Sequence, residues 1–352
     1  RNSMRVSSAF LRNCFLILLA AASCAESFTP PSISTAFLGG SLSARRPGGA
    51  LVPGLRGGRG GGRMASSTND WWGMHGKDKP IGFSAPPGTL EKEDQTVRQP
   101  LGRDSYVLVV GATRGLGLKW VEKLLEKGCS VVGTHRGSEV PGDLEALANK
   151  SERMQTLSMD VGDAESIKTA AAKMKDMIKA QGSQGFTHII HNAGIYGPRD
   201  SFDGAERNGR QGNPAVTAGG MIETFTVNTV GPLLVAQAFT PLMCPPTEKH
   251  IPILSILTSK VGSVDDNTSG GAYAYRASKS ALNNVAKSIH VDLYPSVTVV
   301  LLHPGYVKTD MTGGQGLIEC DESVDGMLRA LEATDRETPF RFVDFKACRI
   351  PW

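Results

Sequence analysis

Residues 105–120 read SYVLVVGATRGLGLKW, and no other stretch of the chain says more about the fold. The first six residues, SYVLVV, are mostly apolar and predict a short buried strand. A turn with three glycines follows, and residues 116–128, LGLKWVEKLLEKG, then show the apolar spacing of a helix that ends on a glycine. A strand, a glycine-rich turn and a helix in this order present backbone amides and a helix N-terminus, which together suit a pyrophosphate.

Strands and helices continue to alternate after this unit. Short apolar stretches predict further strands within residues 129–136, 154–161, 186–194, 250–259 and 297–305. Helical spacing predicts helices at residues 143–151, 165–182, 221–243 and around Tyr275. Strands that are apolar throughout are typical of a parallel sheet covered on both faces. We therefore predict an α/β, doubly wound Rossmann fold with a parallel sheet of about seven strands, in a single domain over residues 104–352.

The first 63 residues differ in composition from the rest. Met4 and two arginines precede the apolar run CFLILLAAASCA, so residues 1–25 have the form of a secretory signal peptide, too short for a membrane span. Residues 26–63 are rich in Ser, Gly and Arg and have one acid, Glu26, as is typical of transit peptides. Together they resemble the bipartite leaders of algae with complex plastids. We expect a plastid protein, with the secretory pathway and the cytoplasm as alternatives.

The charge of the chain is unevenly distributed. The chain has 352 residues, of which 40% are hydrophobic and 20% charged, and a formal net charge of +4. Residues 1–63 contain eight arginines and one glutamate, a charge of +7, so residues 64–352 sum to −3. This charge gives no indication of nucleic-acid binding by the mature domain, and we expect no membrane contact from it. The six cysteines lack C-x-x-C spacing and predict neither a disulfide framework nor a metal site.

Two polar segments interrupt the pattern. Residues 64–103 contain several prolines and glycines without a clear period, and we interpret them as a linker or a loosely ordered N-terminus of the mature chain. Residues 197–220 are predicted to be an inserted surface loop. We expect this insertion and the segment after Met311 to determine the substrate.

Tyr275 and Lys279 stand four residues apart in the run GAYAYRASKSALNNVAKSI, whose apolar spacing is helical. Residues i and i+4 share one face of a helix, about one turn apart. A phenol ionises near pH ~10, and a nearby positive charge favours the phenolate. The pair therefore predicts a proton donor that works near neutral pH. Taken alone, the two residues are more often ordinary surface or core positions, so the interpretation depends on further motifs.

Those motifs occur in a fixed order along the chain. They are the turn Gly111-x-x-x-Gly115-x-Gly117, Asp160, Asn192-Ala193-Gly194, Asn228, Ser259, Tyr275 with Lys279, and Pro304-Gly305. This ordered set resembles the short-chain dehydrogenase/reductase family over roughly residues 104–350. Residues 259–283 and 303–311 resemble the sniffer and C-factor branch of carbonyl reductases. The chain departs from the usual pattern at Val110, where Thr is common, at His191, where Asn is common, and at Lys346-Ala347, where a glycine-bearing turn is usual.

The resemblance implies a role for each of four side chains. Tyr275 would give a proton to the substrate oxygen as hydride arrives from the nicotinamide, and Ser259 would hydrogen-bond the carbonyl group. Lys279 would hold the nicotinamide ribose and lower the pKa of the phenol. Asn228, in a separate helix, would position a water molecule that links Lys279 to solvent.

The resemblance also implies a set of cofactor contacts. The residues in this set are Gly111, Thr113, Arg114, Gly115, Leu116, Gly117, Arg136, Asp160, Val161, Asn192, Ala193, Gly194, Tyr275, Lys279, Pro304, Gly305, Val307 and Thr309. Asp160 would lie at the adenine, Asn192 at a ribose, and Val307 and Thr309 near the carboxamide and phosphates.

The identity of the nicotinamide cofactor depends on the end of the second predicted strand. Enzymes that use NAD place a carboxylate there for the adenosine ribose. This chain has Gly133-Thr134-His135-Arg136 and no acid, and Arg114 lies in the glycine turn. Two guanidinium groups suit a 2′-phosphate, so we predict NADPH (NADP+).

The sequence therefore predicts an NADPH-dependent reductase of a small carbonyl compound, an aldehyde or a ketone. One alternative is a plastid 3-oxoacyl-carrier-protein reductase, which would need a basic patch for its acidic partner. Another is a non-catalytic dinucleotide-sensing regulatory protein, which is disfavoured because Ser259, Tyr275, Lys279 and Asn228 are all present. The sequence indicates no oligomeric state and no specific carbonyl compound.

Overall fold

The computed structural model describes residues 91–206 and 212–352. Seven strands form one sheet in the order β3-β2-β1-β4-β5-β6-β7, and every neighbouring pair is parallel. The strands are β1 (Tyr106–Val110), β2 (Ser130–His135), β3 (Met154–Ser158), β4 (His188–His191), β5 (Ile253–Leu257), β6 (Thr298–His303) and β7 (Arg341–Asp344). The predicted doubly wound sheet is confirmed.

Helices join the strands and cover both faces of the sheet. They are α1 (Gly115–Glu126), α2 (Gly142–Lys150), α3 (Ala164–Ala180), α4 (Ala218–Phe225), α5 (Gly231–Phe239), α6 (Tyr273–Leu293) and α7 (Cys320–Glu332). Side chains of β1 alternate between two cores, as the strand period requires. Leu108 and Val110 pack with Phe239 of α5 and Leu282 of α6, whereas Val107 packs on the other face. The opposite core is formed mainly by α1 and α7.

The strand order reverses at β1, which lies between β2 and β4. Parallel strands end at the same edge of a sheet, and the crevice at such a reversal is where doubly wound folds bind ligands. Val110 pairs with His191 in the register of β1 and β4, so the glycine turn and Asn192 follow side by side.

The single helix predicted over residues 221–243 is instead divided into segments. Between α4 and α5 lies one π-helical turn, Thr226–Val230, which contains Asn228. Pro232 lacks the amide that would bond the Asn228 carbonyl oxygen in an α-helix, so this carbonyl is released from the α-helical ladder. Turns of this kind occur frequently at functional sites.

Residues 91–103 lie against the domain. This packing differs from the prediction of a linker or a loosely ordered N-terminus over residues 64–103. The Glu93 amide donates to the Ala347 carbonyl oxygen at 2.8 Å, and the Glu93 carboxylate pairs with buried Arg341. Farther along, the Gln99 amide donates to the Glu332 carbonyl oxygen at 2.9 Å. Ala347 itself has a left-handed φ of 61°, at the turn where the expected glycine is missing.

Several predictions fall on residues outside the described ranges. These are the leader segments 1–25 and 26–63, the linker up to residue 90, and residues 207–211 of the insertion. Within the ranges that the structure describes, no helix is long and apolar enough to cross a membrane.

Candidate active site

The glycine turn takes a backbone conformation that side chains would obstruct. Gly111 and Gly115 have φ values of 80° and 53°, in the left-handed region that favours glycine. Gly117 has an ordinary φ, but a Cβ atom there would lie 1.9 Å from the Gly111 carbonyl oxygen. The turn is therefore closed tightly on itself at the start of α1.

Two side chains, one in β2 and one directly after β4, form hydrogen bonds with this turn. The Gly111 amide donates to Thr134 Oγ1 at 2.8 Å, and Asn192 Nδ2 donates to the Gly111 carbonyl oxygen at 2.7 Å. Asn192 thus supports the turn in the structure, and its contact with a cofactor ribose stays a prediction.

The N-terminus of α1 suits an anionic group. No side chain caps it, and its first turn holds no acidic residue. The first amides of a helix lack partners within the helix, and the helix dipole favours negative charge there. Because the glycines also let a ligand approach the backbone, these residues fit a dinucleotide pyrophosphate. The predicted contacts Thr113 and Leu116 lie in this turn and at the start of the helix.

Arg114 and Arg136, the two residues predicted to bind a 2′-phosphate, are both accessible from solvent. Strand β2 ends at buried His135, and the exposed Arg136 follows, so no carboxylate stands at the position that NAD-binding proteins use. Arg114 pairs with Asp310 at 2.9 Å, and both side chains are mostly exposed. Asp160, after β3, accepts a hydrogen bond from the Gly162 amide at 2.8 Å.

A cleft at the carboxyl edge of the sheet brings together Ser259 and six of the eighteen predicted cofactor contacts, namely Leu116, Tyr275, Pro304, Gly305, Val307 and Thr309. Its lining consists of Leu116, Thr258, Ser259, Lys260, Val261, Tyr275, His303, Pro304, Gly305, Tyr306, Val307, Thr309, Met311 and Thr312. Asn228 and Lys279 are buried and do not line the cleft. Thr312, the first residue of the segment predicted to determine the substrate, lies on its wall, next to Met311.

Ser259 follows β5 and begins a short 3₁₀ turn, Lys260–Gly262. This turn packs directly on α6, because a Cβ atom on Gly262 would lie 2.8 Å from backbone and side-chain atoms of Lys279. Ser280 Oγ donates to the Gly262 carbonyl oxygen at 2.6 Å. The S-x-x-G spacing thus fixes the distance between Ser259 and the helix of Tyr275.

Tyr275 and Lys279 lie one turn apart on α6, as predicted. Lys279 Nζ lies 5.9 Å from the centre of the Tyr275 ring and donates to the Leu257 carbonyl oxygen at 3.1 Å. Burial lowers the pKa of Lys279 to about 8. Burial also raises the pKa of Tyr275 to about 12, and the interaction of its hydroxyl with Ser259 acts in the opposite direction.

The expected lowering of the phenol pKa by Lys279 is therefore wrong for the structure as described. The lysine ammonium is directed to a backbone carbonyl, and the cost of burying a phenolate dominates the pKa of Tyr275. Tyr275 consequently keeps its proton throughout the neutral range.

The side chain of Asn228 forms two hydrogen bonds with the backbone that follows β4. Its Oδ1 atom accepts a hydrogen bond from the Ile195 amide at 2.8 Å, and its Nδ2 atom donates to the Ile195 carbonyl oxygen at 2.8 Å. The same Nδ2 atom lies 3.1 Å from Ser278 Oγ, beside Lys279. Asn228 is fully buried, so it joins the β4 loop to α6, and its predicted role in holding a water stays a prediction.

Comparison with known proteins identifies the family. Residues 105–317 match the family described as short chain dehydrogenase. This chain belongs to that family. It is 43% identical over 133 residues to the C-signal protein of Myxococcus xanthus, covering 38% of this chain and 78% of that protein.

Two solved structures of carbonyl reductases share the fold of this family member. The carbonyl reductase Sniffer of D. melanogaster has 30% identity and a TM-score of 0.61, covering 71% of this chain and 99% of that chain. The NADPH-bound carbonyl reductase from chicken fatty liver has 30% identity and a TM-score of 0.62, covering 72% and 96% of the two chains.

Two residues that contact Tyr275 and its helix were not identified from the sequence. Tyr196 stacks on Tyr275, and the carboxylate of Asp200 accepts hydrogen bonds at the N-terminus of α6. The sequence does contain one signal, because SGGAYAYR offers no capping side chain directly before the helix. The amides at a buried helix end without a local cap need a partner from outside the helix, either another part of the chain or a ligand.

Other titratable groups in the described ranges form no metal site. No group of three or more His, Cys, Asp or Glu side chains in residues 91–206 and 212–352 is arranged to hold a metal ion. Lys260 and Asp266 form a buried ion pair at 3.3 Å beside the cleft. His303 also lines the cleft, and burial lowers its pKa to about 3, so it is neutral.

Proposed function

We propose that this member of the short-chain dehydrogenase family reduces an aldehyde or ketone with NADPH. One observation carries the proposal. The phenol of Tyr275 and the hydroxyl of Ser259 line the same cleft, and buried Lys279 lies one turn from Tyr275 on α6, with its Nζ atom 5.9 Å from the centre of the Tyr275 ring. This arrangement provides a proton donor and a hydrogen-bond donor for a single substrate oxygen.

Tyr275 has the protonation state that a reductase requires. Because burial raises its pKa to about 12, the phenol carries its proton at neutral pH and can give it to an oxygen that is gaining negative charge. Bound NADPH would supply the hydride. Ser259 would orient the carbonyl oxygen and stabilise its developing charge by a second hydrogen bond.

Lys279 has donors left for the cofactor ribose. An ammonium group has three N–H donors, and one of them is used by the Leu257 carbonyl oxygen. With a pKa lowered to about 8, the ammonium is still mostly charged at pH 7. We propose that it holds the nicotinamide ribose and so positions the cofactor beside Tyr275.

The choice of NADPH follows from the charges at the adenosine end. Arg136 is exposed where a carboxylate would be needed for NAD, and Arg114 is held only by an exposed ion pair to Asp310. Exposed ion pairs contribute little energy, so Arg114 can exchange Asp310 for a 2′-phosphate. The NADPH-bound carbonyl reductase from chicken supports the same choice.

A substrate panel tests the proposal. The purified enzyme is mixed with NADPH or NADH and with aldehydes, ketones, quinones and acetoacetyl thioesters, and absorbance at the reduced nicotinamide band is followed. We expect turnover with aldehydes or ketones and higher kcat/KM with NADPH. Turnover confined to the thioesters would favour the carrier-protein reductase, and NADPH binding without turnover would favour the sensor.

A further inference from the structure

The helix that carries Tyr275 has no cap of its own. The residue before α6 is Ala272, which has a left-handed φ of 49° and no side-chain acceptor. The first turn of α6 contains no acidic residue. The first amides of a helix need partners from outside the helix, especially where the helix end is buried.

Asp200 supplies this cap from a distant part of the chain. Its Oδ1 atom accepts a hydrogen bond from the Tyr273 amide at 2.6 Å, and its Oδ2 atom accepts one from the Ala274 amide at 3.1 Å. Asp200 is 3% exposed, and its negative charge faces the positive end of the helix dipole. Tyr275 is the next residue after Ala274, so the cap lies directly before the proton donor.

Tyr196 contacts the proton donor itself. Its ring stacks on the ring of Tyr275 with 4.7 Å between centroids and 24° between planes. Tyr275 lines the cleft, and the partly exposed ring of Tyr196 lies against it. Its backbone position is set by the preceding residue, Ile195, which Asn228 holds through two hydrogen bonds.

Gly197, which lies between these two contacts, is closely packed against α4. Gly197 has a φ of 74°, and a Cβ atom there would lie 2.2 Å from Thr224 Oγ1. Thr224 is fully buried and donates from its hydroxyl to the Gly220 carbonyl oxygen at 2.7 Å. Gly197 therefore packs against α4 and Asp200 bonds to the N-terminus of α6, so residues 196–200 connect the two helices.

We propose that Tyr196 and Asp200 are positioning residues that hold Tyr275 in its reactive orientation, Tyr196 through the ring and Asp200 through the helix end. The role in catalysis rests on the proposed reductase function. Because Asp200 lies within the inserted segment 197–220, the segment expected to determine the substrate is bonded directly to the helix of the proton donor.

Substitution of Asp200 tests the helix cap. We expect Asp200→Ala to lower kcat about tenfold or more, because small displacements of a reacting group are costly, while Kd for NADPH changes little. Asp200→Asn keeps one acceptor oxygen, so its kcat should be intermediate and its fold intact. The control is Asp163→Ala, which removes a similar cap from α3, where the Asp163 side chain accepts from the Glu165 amide at 2.9 Å.

Substitution of Tyr196 tests the ring contact. Tyr196→Phe keeps the stacked ring and should keep kcat close to wild type. Tyr196→Leu removes it and should lower kcat about tenfold, with a larger kinetic isotope effect when the transferred hydrogen of NADPH is deuterium, because the chemical step becomes slower. A merely structural loss would lower the amount of folded enzyme and leave that isotope effect unchanged.

Hydrogen exchange provides a readout that needs no turnover. In the full-length enzyme the Tyr273 and Ala274 amides should exchange slowly, and Asp200→Ala should accelerate both while amides in the middle of α6 stay protected. Unchanged exchange at these amides, or a kcat for Asp200→Asn and Tyr196→Leu equal to that of Asp163→Ala, would overturn the proposal. If the wild-type enzyme reduced no carbonyl, the proposed function would fail while the exchange experiment still reported on the cap.

Discussion

Lys279 Nζ donates to the carbonyl oxygen of Leu257 at 3.1 Å, and this bond joins the helix of Tyr275 to the strand that leads to Ser259. The ammonium therefore has a structural partner as well as free donors for a ligand. Gly262 packs against the backbone and Cβ atom of the same lysine. The relative position of Ser259 and Tyr275 is thus fixed before any substrate binds.

The buried lysine should make the stability of the cofactor-free enzyme depend on pH. Burial lowers the pKa of Lys279 from 10.5 to about 8, so above pH 8 the unfolded chain binds more protons than the folded one. Stability contributed by this group therefore rises with pH from about 8 towards 10.5, by roughly 3 kcal/mol in all. Tyr275 acts oppositely above pH 10, because its folded pKa is raised from 10.0 to about 12.

The effect of Lys279 on stability can therefore be measured between pH 8 and pH 10, where Tyr275 does not yet contribute. Urea denaturation of wild type and Lys279→Met should show the wild type gaining stability relative to the variant as pH rises through this window. Parallel curves for the two proteins would mean that Lys279 is not neutralised in the folded state.

Gly117 should be essential for the dinucleotide turn. Because a Cβ atom there would meet the Gly111 carbonyl oxygen at 1.9 Å, Gly117→Ala should open the turn and weaken NADPH binding by about tenfold or more. Gly142→Ala is the matched control, since a Cβ atom on this first residue of α2 meets nothing within 4 Å. Fluorescence titration with NADPH measures both, and equal affinity of the two variants would contradict the assignment.

The two arginines should set the preference for NADPH over NADH. We expect Arg136→Ala and Arg114→Ala each to raise KM for NADPH about tenfold, with little change in KM for NADH. Loss of one charge-assisted hydrogen bond typically weakens binding by about this factor. Asp310→Asn removes the competing partner of Arg114 and should lower KM for NADPH. Equal effects on both cofactors would show that the arginines do not contact the 2′-phosphate.

The sheet, the glycine turn and the Ser259, Tyr275 and Lys279 set could be predicted because each leaves a local pattern. Apolar runs identify buried strands, and fixed spacing identifies the turn and the helical pair. The parallel register then places these motifs at one edge of the sheet.

Other features depend on contacts between distant residues and left no such pattern. Asp200 reaches the amide of Tyr273, 73 residues away, and Glu93 pairs with Arg341, 248 residues away. The π-helical turn at Asn228 interrupts a helix whose apolar spacing is continuous, so the helical period does not reveal it. The pKa of Tyr275 was misjudged because burial, which depends on the whole fold, outweighs the neighbouring charge.

The strongest single measurement is turnover by Tyr275→Phe in the presence of a carbonyl substrate that the wild type reduces with NADPH. Removing the phenol hydroxyl takes away the proton donor and leaves the ring, the Tyr196 stack and the glycine turn in place. We predict that kcat falls by roughly 100-fold or more while Kd for NADPH stays close to wild type. Turnover retained at the wild-type rate would contradict the role of Tyr275 as the acid.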